Sequence, residues 1–350
     1  MIESLELKNF TVFRDLKIDF SPKINVIIGE NGTGKTHLMK AAYALASGSR
    51  AIENKTDVTS EDIEMELTSS LLEIFLPLDN KLGKLRRQGA LDNAQLDAKF
   101  VLDKSISLTF HSKSKSVSIQ RNSAFGQYSW EPIYIPTKEV LSFMKGFNSL
   151  YEKFGLSFDR TYKDIILFLE LPEIRPDALA ERSKWAMTEI VKVCGGRFVF
   201  YGGGKVTFKT EDAEYSVNVM AEGFRKAGVL SRLLETGAIQ PGSSGPLFWD
   251  EPESNMNPKL LRLFVEILLE LSRNGQQIII ATHDYVLLKW LDLLLNKGKG
   301  DQISFHSLYR DKDSEAIRIQ TTGAFSLIDK NAISNAFAEL YDEDVKRALK

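Results

Sequence analysis

Gly29-Glu30-Asn31-Gly32-Thr33-Gly34-Lys35-Thr36 decides how the rest of this chain is read, because it joins two segments of opposite character. Before it runs Ile24-Asn25-Val26-Ile27-Ile28, a short apolar stretch of the kind that forms a buried strand; after it, His37-Leu38-Met39-Lys40 opens a helix. A strand, a glycine-rich turn and a helix in that order make a phosphate cradle. Glycines let the backbone curl, successive N–H groups and the helix N-terminus supply positive potential, Lys35 reaches the β- and γ-phosphates, and Thr36 offers a hydroxyl to Mg²⁺. The candidate contacts to a nucleoside triphosphate are therefore Gly29, Asn31, Gly32, Thr33, Gly34, Lys35, Thr36 and His37.

Composition narrows the setting. The 350 residues are long enough for two domains or one large domain with insertions, and 43% hydrophobic residues can build a substantial core. Lys plus Arg 45 against Asp plus Glu 47 leaves a net charge of -2, so no global field draws the chain to nucleic acid or to an anionic membrane; any such binding must come from local patches. A lone Cys194 excludes a disulfide framework and a multi-cysteine metal site, which suits a reducing compartment. The opening Met1-Ile2-Glu3-Ser4-Leu5-Glu6-Leu7 alternates and carries acids, unlike a secretion signal, and no apolar run approaches the roughly 20 residues of a membrane span. The expected location is the cytoplasm, with no membrane partner.

Periodicity gives the remaining elements. Residues Ile2 to Leu7 and Leu16 to Phe20 read as strands ahead of the glycine loop. Asn54 to Asp97 is polar and mixed and reads as an exposed insert, with one amphipathic helix from Ser60 to Phe75 and a basic stretch from Lys81 to Arg87. Ser105 to Phe110 and Ser114 to Gln120 alternate like a hairpin, and Ile133 to Ile135 is a strand cut off by Pro136. Helical patterns follow near Lys138 to Phe154, Asp159 to Glu170 and Asp177 to Val193. Strands return at Arg197 to Tyr201, Lys205 to Thr210 and Glu214 to Met220, with a helix after Gly223. A strand at Leu247 to Trp249, a helix from Pro258 to Arg273 and a strand at Gln277 to Ala281 signal a parallel α/β core. Two further strands and a helix near Asn331 to Tyr341 complete the chain.

The second half says what the loop is for. Leu247-Phe248-Trp249-Asp250-Glu251 delivers two consecutive carboxylates at the C-terminal end of an apolar strand, where ligands of such sheets lie. Asp250 can hold the Mg²⁺ shell, while Glu251 can orient or deprotonate an attacking water. Ile278-Ile279-Ile280-Ala281-Thr282-His283 places an imidazole at the end of another strand, where it could sense the leaving phosphate.

Taken together, Leu5-Glu6-Leu7-Lys8-Asn9-Phe10, Asn31 within the loop, Trp249-Asp250-Glu251-Pro252-Glu253 and Ala281-Thr282-His283-Asp284 resemble the ABC-type ATPases of the SMC/RecF group. The likeness is greater to single-chain, RecF-like AAA-family proteins of anti-phage and overcoming-lysogenisation-like systems, and it spans Ile2 to about Leu308. This resemblance implies an α/β P-loop NTPase, a two-lobed head with a mixed central sheet, an antiparallel β subdomain and a helical insertion. Residues 1–136 would form the first lobe, 137–196 the insertion and 197–350 the second lobe. It further implies a D-loop at Ser254 to Pro258, a Q-loop at Tyr134 to Glu139 in which Thr137 replaces the glutamine, and a signature turn at Met220 to Lys226. Only Gly223 of the signature is retained; Ala221 lacks the usual hydroxyl, and Arg225 or Lys226 could supply charge in its place. Asn9, Phe10, Phe13 and Arg14 fall where the group approaches adenine and ribose.

What the resemblance implies is ATP hydrolysis with Mg²⁺, in a homodimer assembled head to tail through ATP. Glu251, Lys35 and His283 would carry the chemistry, and Thr36 and Asp250 the metal. DNA or RNA, and an effector such as a nuclease on another chain, are the expected partners, in phage defence or DNA repair. The basic runs Lys81 to Arg87 and Lys113 to Arg121 are candidates for phosphate contact. The rival readings are the ATPase subunit of a membrane transporter and a P-loop kinase for a small acceptor.

Overall fold

In the computed structural model, residues 1–53, 58–125, 130–240, 242, 244–329 and 332–348 are described. Numbering strands along the chain, the central sheet has six, in the order β14 (Ile317–Thr322), β13 (Ile303–Arg310), β3 (Ile24–Gly29), β12 (Ile278–Thr282), β11 (Leu247–Asp250) and β7 (Ile133–Ile135). All neighbours are parallel except β14 against β13. Such strands are buried on both faces, which is why they read as continuous apolar runs. The pleat still sorts their side chains. Ile24, Val26, Ile28, Leu247, Trp249, Ile278 and Ile280 enter one core, while Ile27, Phe248, Ile279 and Tyr134 enter the other.

Register sets the function-bearing edge. Thr282 lies beside Ile28, Asp250 beside Ala281, and Leu308 beside Gly29, so the C-terminal ends of β3, β11 and β12 stop abreast. A slip of one residue would turn every side chain on a strand to the opposite face, and the two cores make that costly.

One face carries α1 (Lys35–Ile52), which buries Leu38, Met39, Tyr43 and Leu45. A five-stranded antiparallel sheet covers the same side, in the order β2 (Phe13–Asp19), β1 (Ile2–Phe10), β4 (Ala94–Phe100), β5 (Lys104–Phe110) and β6 (Ser118–Ser123). The opposite face is helical, with α4 (Arg160–Glu170), α5 (Glu181–Cys194), α6 (Glu222–Glu235), α7 (Pro258–Arg273) and α8 (Tyr285–Leu294) sharing its core. A small sheet of β8 (Arg197–Tyr201), β9 (Lys205–Lys209) and β10 (Glu214–Ser216) packs Phe198 and Phe208 onto that core. The segment 137–196 is tied to the loop helix: Lys40 on α1 pairs with Asp159, the N-cap of α4, at 2.7 Å. Cys194 is buried there, and burial pushes its thiol up to about 12.

Three readings of the sequence need correction. The exposed insert does not exist as such: helix α2 (Ser60–Phe75) buries Ile63, Leu67, Leu71 and Ile74 against α1, and Leu82 and Leu85 of the basic stretch are buried too. Its end, Ala94 to Asp97, belongs to β4, paired along its length with β1. The helix expected over 138–154 is confined to α3 (Phe147–Phe154), since Val140, Leu141 and Met144 enter the core from non-helical turns.

A buried polar pair joins β3 to β13. His306, fully buried, faces Asn25 Oδ1 through Nε2 at 3.2 Å and Thr321 Oγ1 through Nδ1 at 2.9 Å. Asn25 Nδ2 donates to the Ser21 carbonyl, which leaves Oδ1 as acceptor and puts the imidazole proton on Nε2.

Two predictions follow from this packing. Leu71→Ala should destabilise the fold by about 2–5 kcal/mol in urea unfolding, since a closed core retains a cavity; a loss under about 0.5 kcal/mol would mean that α2 does not pack on α1. Burial holds His306 down at about 4, against 6.5 in the unfolded chain. Between those values the unfolded chain binds more protons, so the contribution is full above pH 6.5 and is lost as pH falls toward 4. The difference in unfolding free energy between wild type and His306→Gln should shrink by about 3 kcal/mol over that window, and a constant difference would contradict it.

Candidate functional site

The chain turns out of β3 into a loop whose geometry depends on Gly34. Gly34 caps α1 at φ +93°, where a Cβ would lie 2.6 Å from Val12 Cγ2 and 2.7 Å from Phe13 Cζ. Left-handed backbone and close approach both demand glycine. Thr33 is buried and donates to the Glu30 carbonyl at 2.8 Å, while Asn31 and Gly32 are exposed. Lys35 folds back, donating to the carbonyls of Gly29 at 2.8 Å and Glu30 at 3.2 Å. Burial lowers its pKa, opposed by Glu251, Asp250 and Glu253.

Thr36 and Asp250, 214 residues apart in sequence, meet at the sheet edge: Thr36 Oγ1 donates to Asp250 Oδ2 at 3.0 Å. Tyr134 on β7 donates to the same oxygen at 3.3 Å. Asp250 is nearly inaccessible; burial raises its pKa, the Thr36 hydrogen bond opposes this, and neighbouring Glu251 adds to it. A buried carboxylate beside a hydroxyl offers the hard oxygen ligands that Mg²⁺ prefers, and Mg²⁺ commonly takes one or two protein ligands with phosphates and waters supplying the rest. The donor set fits that ion.

Glu251 follows β11 at φ +49°, its N–H held by the Ala281 carbonyl at 2.9 Å. Its Oε1 lies 3.2 Å from His283 Nδ1. His283 is half exposed, but its backbone N–H is fixed by Glu253 Oε1 at 3.2 Å, which also accepts from Thr282 Oγ1 at 2.7 Å. Glu253 is buried, and burial raises its pKa. Thus Lys35, Thr36, Asp250, Glu251 and His283 share one edge.

Other candidates sit differently. Gly223 lies in the first turn of α6 against the segment expected to be the D-loop, where a Cβ would come within 3.2 Å of the Asn255 carbonyl and Met256 Cα. Arg225 and Lys226 turn inward. Arg225 Nε pairs with Glu139 at 2.9 Å, and Glu139 also accepts from the Ser142 N–H, so this carboxylate is engaged at the α6 start. Arg14 is exposed on β2, one residue beyond the Val12–Phe13 contact with Gly34. His37 packs edge-on to Phe75 with centroids 5.7 Å apart; its Nδ1 is buried without a hydrogen-bond partner, and burial lowers its pKa. The site roles of Tyr134 and Glu253 escaped the sequence reading. Tyr134 enters that reading only as the first residue of the expected Q-loop, and Glu253 only as part of the Trp249–Glu253 block, with no hydrogen-bond role given to either.

Known proteins resemble this chain in sequence and in fold. A family model described as "AAA domain, putative AbiEii toxin, Type IV TA system" matches residues 108–289, and another, "AAA ATPase domain", matches residues 1–125. The chain is 23% identical over 345 residues to an ATP/GTP phosphatase of Helicobacter pylori, covering 85% of this chain and 89% of that protein. It is 28% identical over 187 residues to the DNA replication and repair protein RecF of Bacillus cytotoxicus, covering 53% of this chain and 40% of that one. Among solved structures, an SMC head bound to the C-winged helix domain of ScpA matches with a TM-score of 0.56 at 12% identity, over 93% of this chain and 98% of that chain. An Smc head with an extended coiled coil, bound to the C-terminal domain of ScpA derived from Pyrococcus furiosus, gives 0.54 at 12% identity over 98% and 99%. At such identities the structural likeness is one of fold: the P-loop ATPase head. Among the described residues, no helix is long and apolar enough to cross a membrane.

Gly34→Ala combines a disfavoured φ with a steric overlap, so calorimetric titration with ATP should show affinity lowered by about 100-fold or more. Unchanged affinity would show that this turn does not form the cradle.

Proposed function

This chain belongs to the AAA-domain ATPases, and on that premise we propose that it is a Mg²⁺-dependent ATP-hydrolysing switch of the SMC/RecF-like kind. The observation that carries the reading is the 3.0 Å contact of Thr36 with Asp250 beside the Glu251–His283 pair. Thr36 and Asp250 would hold Mg²⁺, which on binding neutralises phosphate charge. Lys35, released from the Gly29 and Glu30 carbonyls, would turn to the β- and γ-phosphates. Glu251 accepts a proton from water as its oxygen attacks the γ-phosphorus; the bond to the β-phosphate oxygen breaks, giving ADP and phosphate. His283, held against Glu251, senses the γ-phosphate.

The switch itself is a dimer. ATP carries several negative charges that one cradle neutralises incompletely, so a second chain contributes the N-terminal turn of α6 around Gly223, whose N-cap Ala221 makes no side-chain capping bond. Anything that binds the closed pair and not the open chains stabilises it by mass action. The segment 137–196 is read as the insertion between the lobes 1–136 and 197–350, with Lys40–Asp159 reporting the state of the loop helix to it. The RecF likeness supports action on nucleic acid, and the toxin–antitoxin wording of the family description is in keeping with a defence setting; a separate effector, such as a nuclease on another chain, completes the proposal. Cytoplasmic location follows from that reading.

Glu251→Gln should slow ATP turnover by about 100-fold or more while preserving ATP affinity. With saturating Mg²⁺ and ATP it should accumulate as a dimer in light scattering. A Glu251→Gln protein that stays monomeric under those conditions would overturn the bridging model.

A further inference from the structure

Lys226 is a buried cation beside the site, and the reaction as described above makes no use of it. It lies in the first turns of α6, almost wholly buried at 2% exposure. Its Nζ donates to the Ser254 carbonyl at 2.8 Å, to the Glu251 carbonyl at 3.3 Å and to the Ser254 hydroxyl. All three partners are neutral. Three donors meet three acceptors, so the ammonium is satisfied, yet taking a charge out of water without a direct counter-charge costs several kcal/mol by general experience. Burial lowers its pKa, against the more distant pull of Glu222, Glu253 and Glu251.

What that cost supports lies two bonds away. Glu251 stands at φ +49°, a region that costs a non-glycine residue about 1–3 kcal/mol and persists only where surroundings over-determine it. Its N–H is tied to Ala281, and its carbonyl receives the Ser254 N–H at 3.1 Å together with Lys226 Nζ. Asn255, on the same turn, is likewise at φ +58°. The turn from 251 to 255 therefore begins in strained backbone at Glu251 and closes on an asparagine that tolerates the left-handed region, and one ammonium ties its first carbonyl to the carbonyl and hydroxyl of Ser254. Relaxing it would swing the Glu251 carboxylate away from His283 Nδ1, now 3.2 Å distant.

We propose that Lys226 is a positioning residue for Glu251, clamping the strained turn so that this carboxylate faces the water to be activated. The inference rests on the hydrolytic reading above. It also gives α6 a mechanical part: the helix that meets the partner's nucleotide holds, through Lys226, the base of its own site.

The test is Lys226→Met, which keeps the stem and removes the ammonium. Turnover number should fall about 10- to 100-fold, with KM for ATP and ATP affinity unchanged and the melting temperature within about 4 °C of wild type. In a Glu251→Gln background the same substitution should add no further loss, because it acts only through that carboxylate. Ser254→Ala, which removes one acceptor and keeps the fold, should lower turnover by about threefold or more with the same unchanged affinity, and serves if Lys226→Met does not fold. Wild-type turnover in folded Lys226→Met, or in Ser254→Ala where the former is insoluble, overturns the proposal, as does a full additional loss on top of Glu251→Gln. If Glu251→Gln itself turns over normally, the hydrolytic reading fails instead, and the two failures are told apart.

Discussion

Parallel register along one sheet edge is the constraint on which everything else depends. Because β3, β12 and β11 run in the same direction and end abreast, a hydroxyl at 36, carboxylates at 250 and 251 and an imidazole at 283 arrive at one place from distant parts of the chain. No local interaction could gather them. Two cores hold that register, one on each face, and each strand contributes alternate side chains to both. The polar side chains that join the strands from within, Asn25 with His306 and Gln277 with the carbonyls of Ile2 and Ser21, add hydrogen bonds that are costly to leave unmade.

The site is correspondingly a set of tethers. Asp250 receives bonds from β7 and from α1, Glu253 pins the His283 backbone, and Lys226 pins the turn that follows Glu251. Strain at Glu251 and restraint by α6 are two aspects of one arrangement, in which the candidate base and the first turns of α6 share the same turn. Arg225 and Glu139 extend that connection to the segment after β7, and Lys40 with Asp159 extends it from the loop helix to α4.

Much of this was legible in the residues. The loop from Gly29 to Thr36 and the strand ending in Asp250-Glu251 are short, composition-driven signals, and the runs at β3, β11 and β12 are apolar enough to read without a partner. Less visible was β4: Ala94, Leu96, Ala98 and Phe100 alternate perfectly, but two of the four are alanine, and polar neighbours masked the period. The turns at 138–146 mimic a helix because Val140, Leu141 and Met144 are spaced like one face of it. Arg225 and Lys226 read as charges available to a phosphate at the signature turn, since sequence alone cannot show that Glu139 and the carbonyls of residues 251 and 254 await them. Such tertiary pairings have no local signature.

The central claim is that the loop of Lys35 and the carboxylate of Asp250 serve one metal-bound triphosphate. Calorimetric titration of ATP with and without Mg²⁺, on wild type and on Asp250→Asn, tests it most directly. The account predicts that Mg²⁺ tightens ATP binding to wild type and that Asp250→Asn abolishes this increment while metal-free ATP binds both proteins alike. An undiminished Mg²⁺ increment in Asp250→Asn would contradict it.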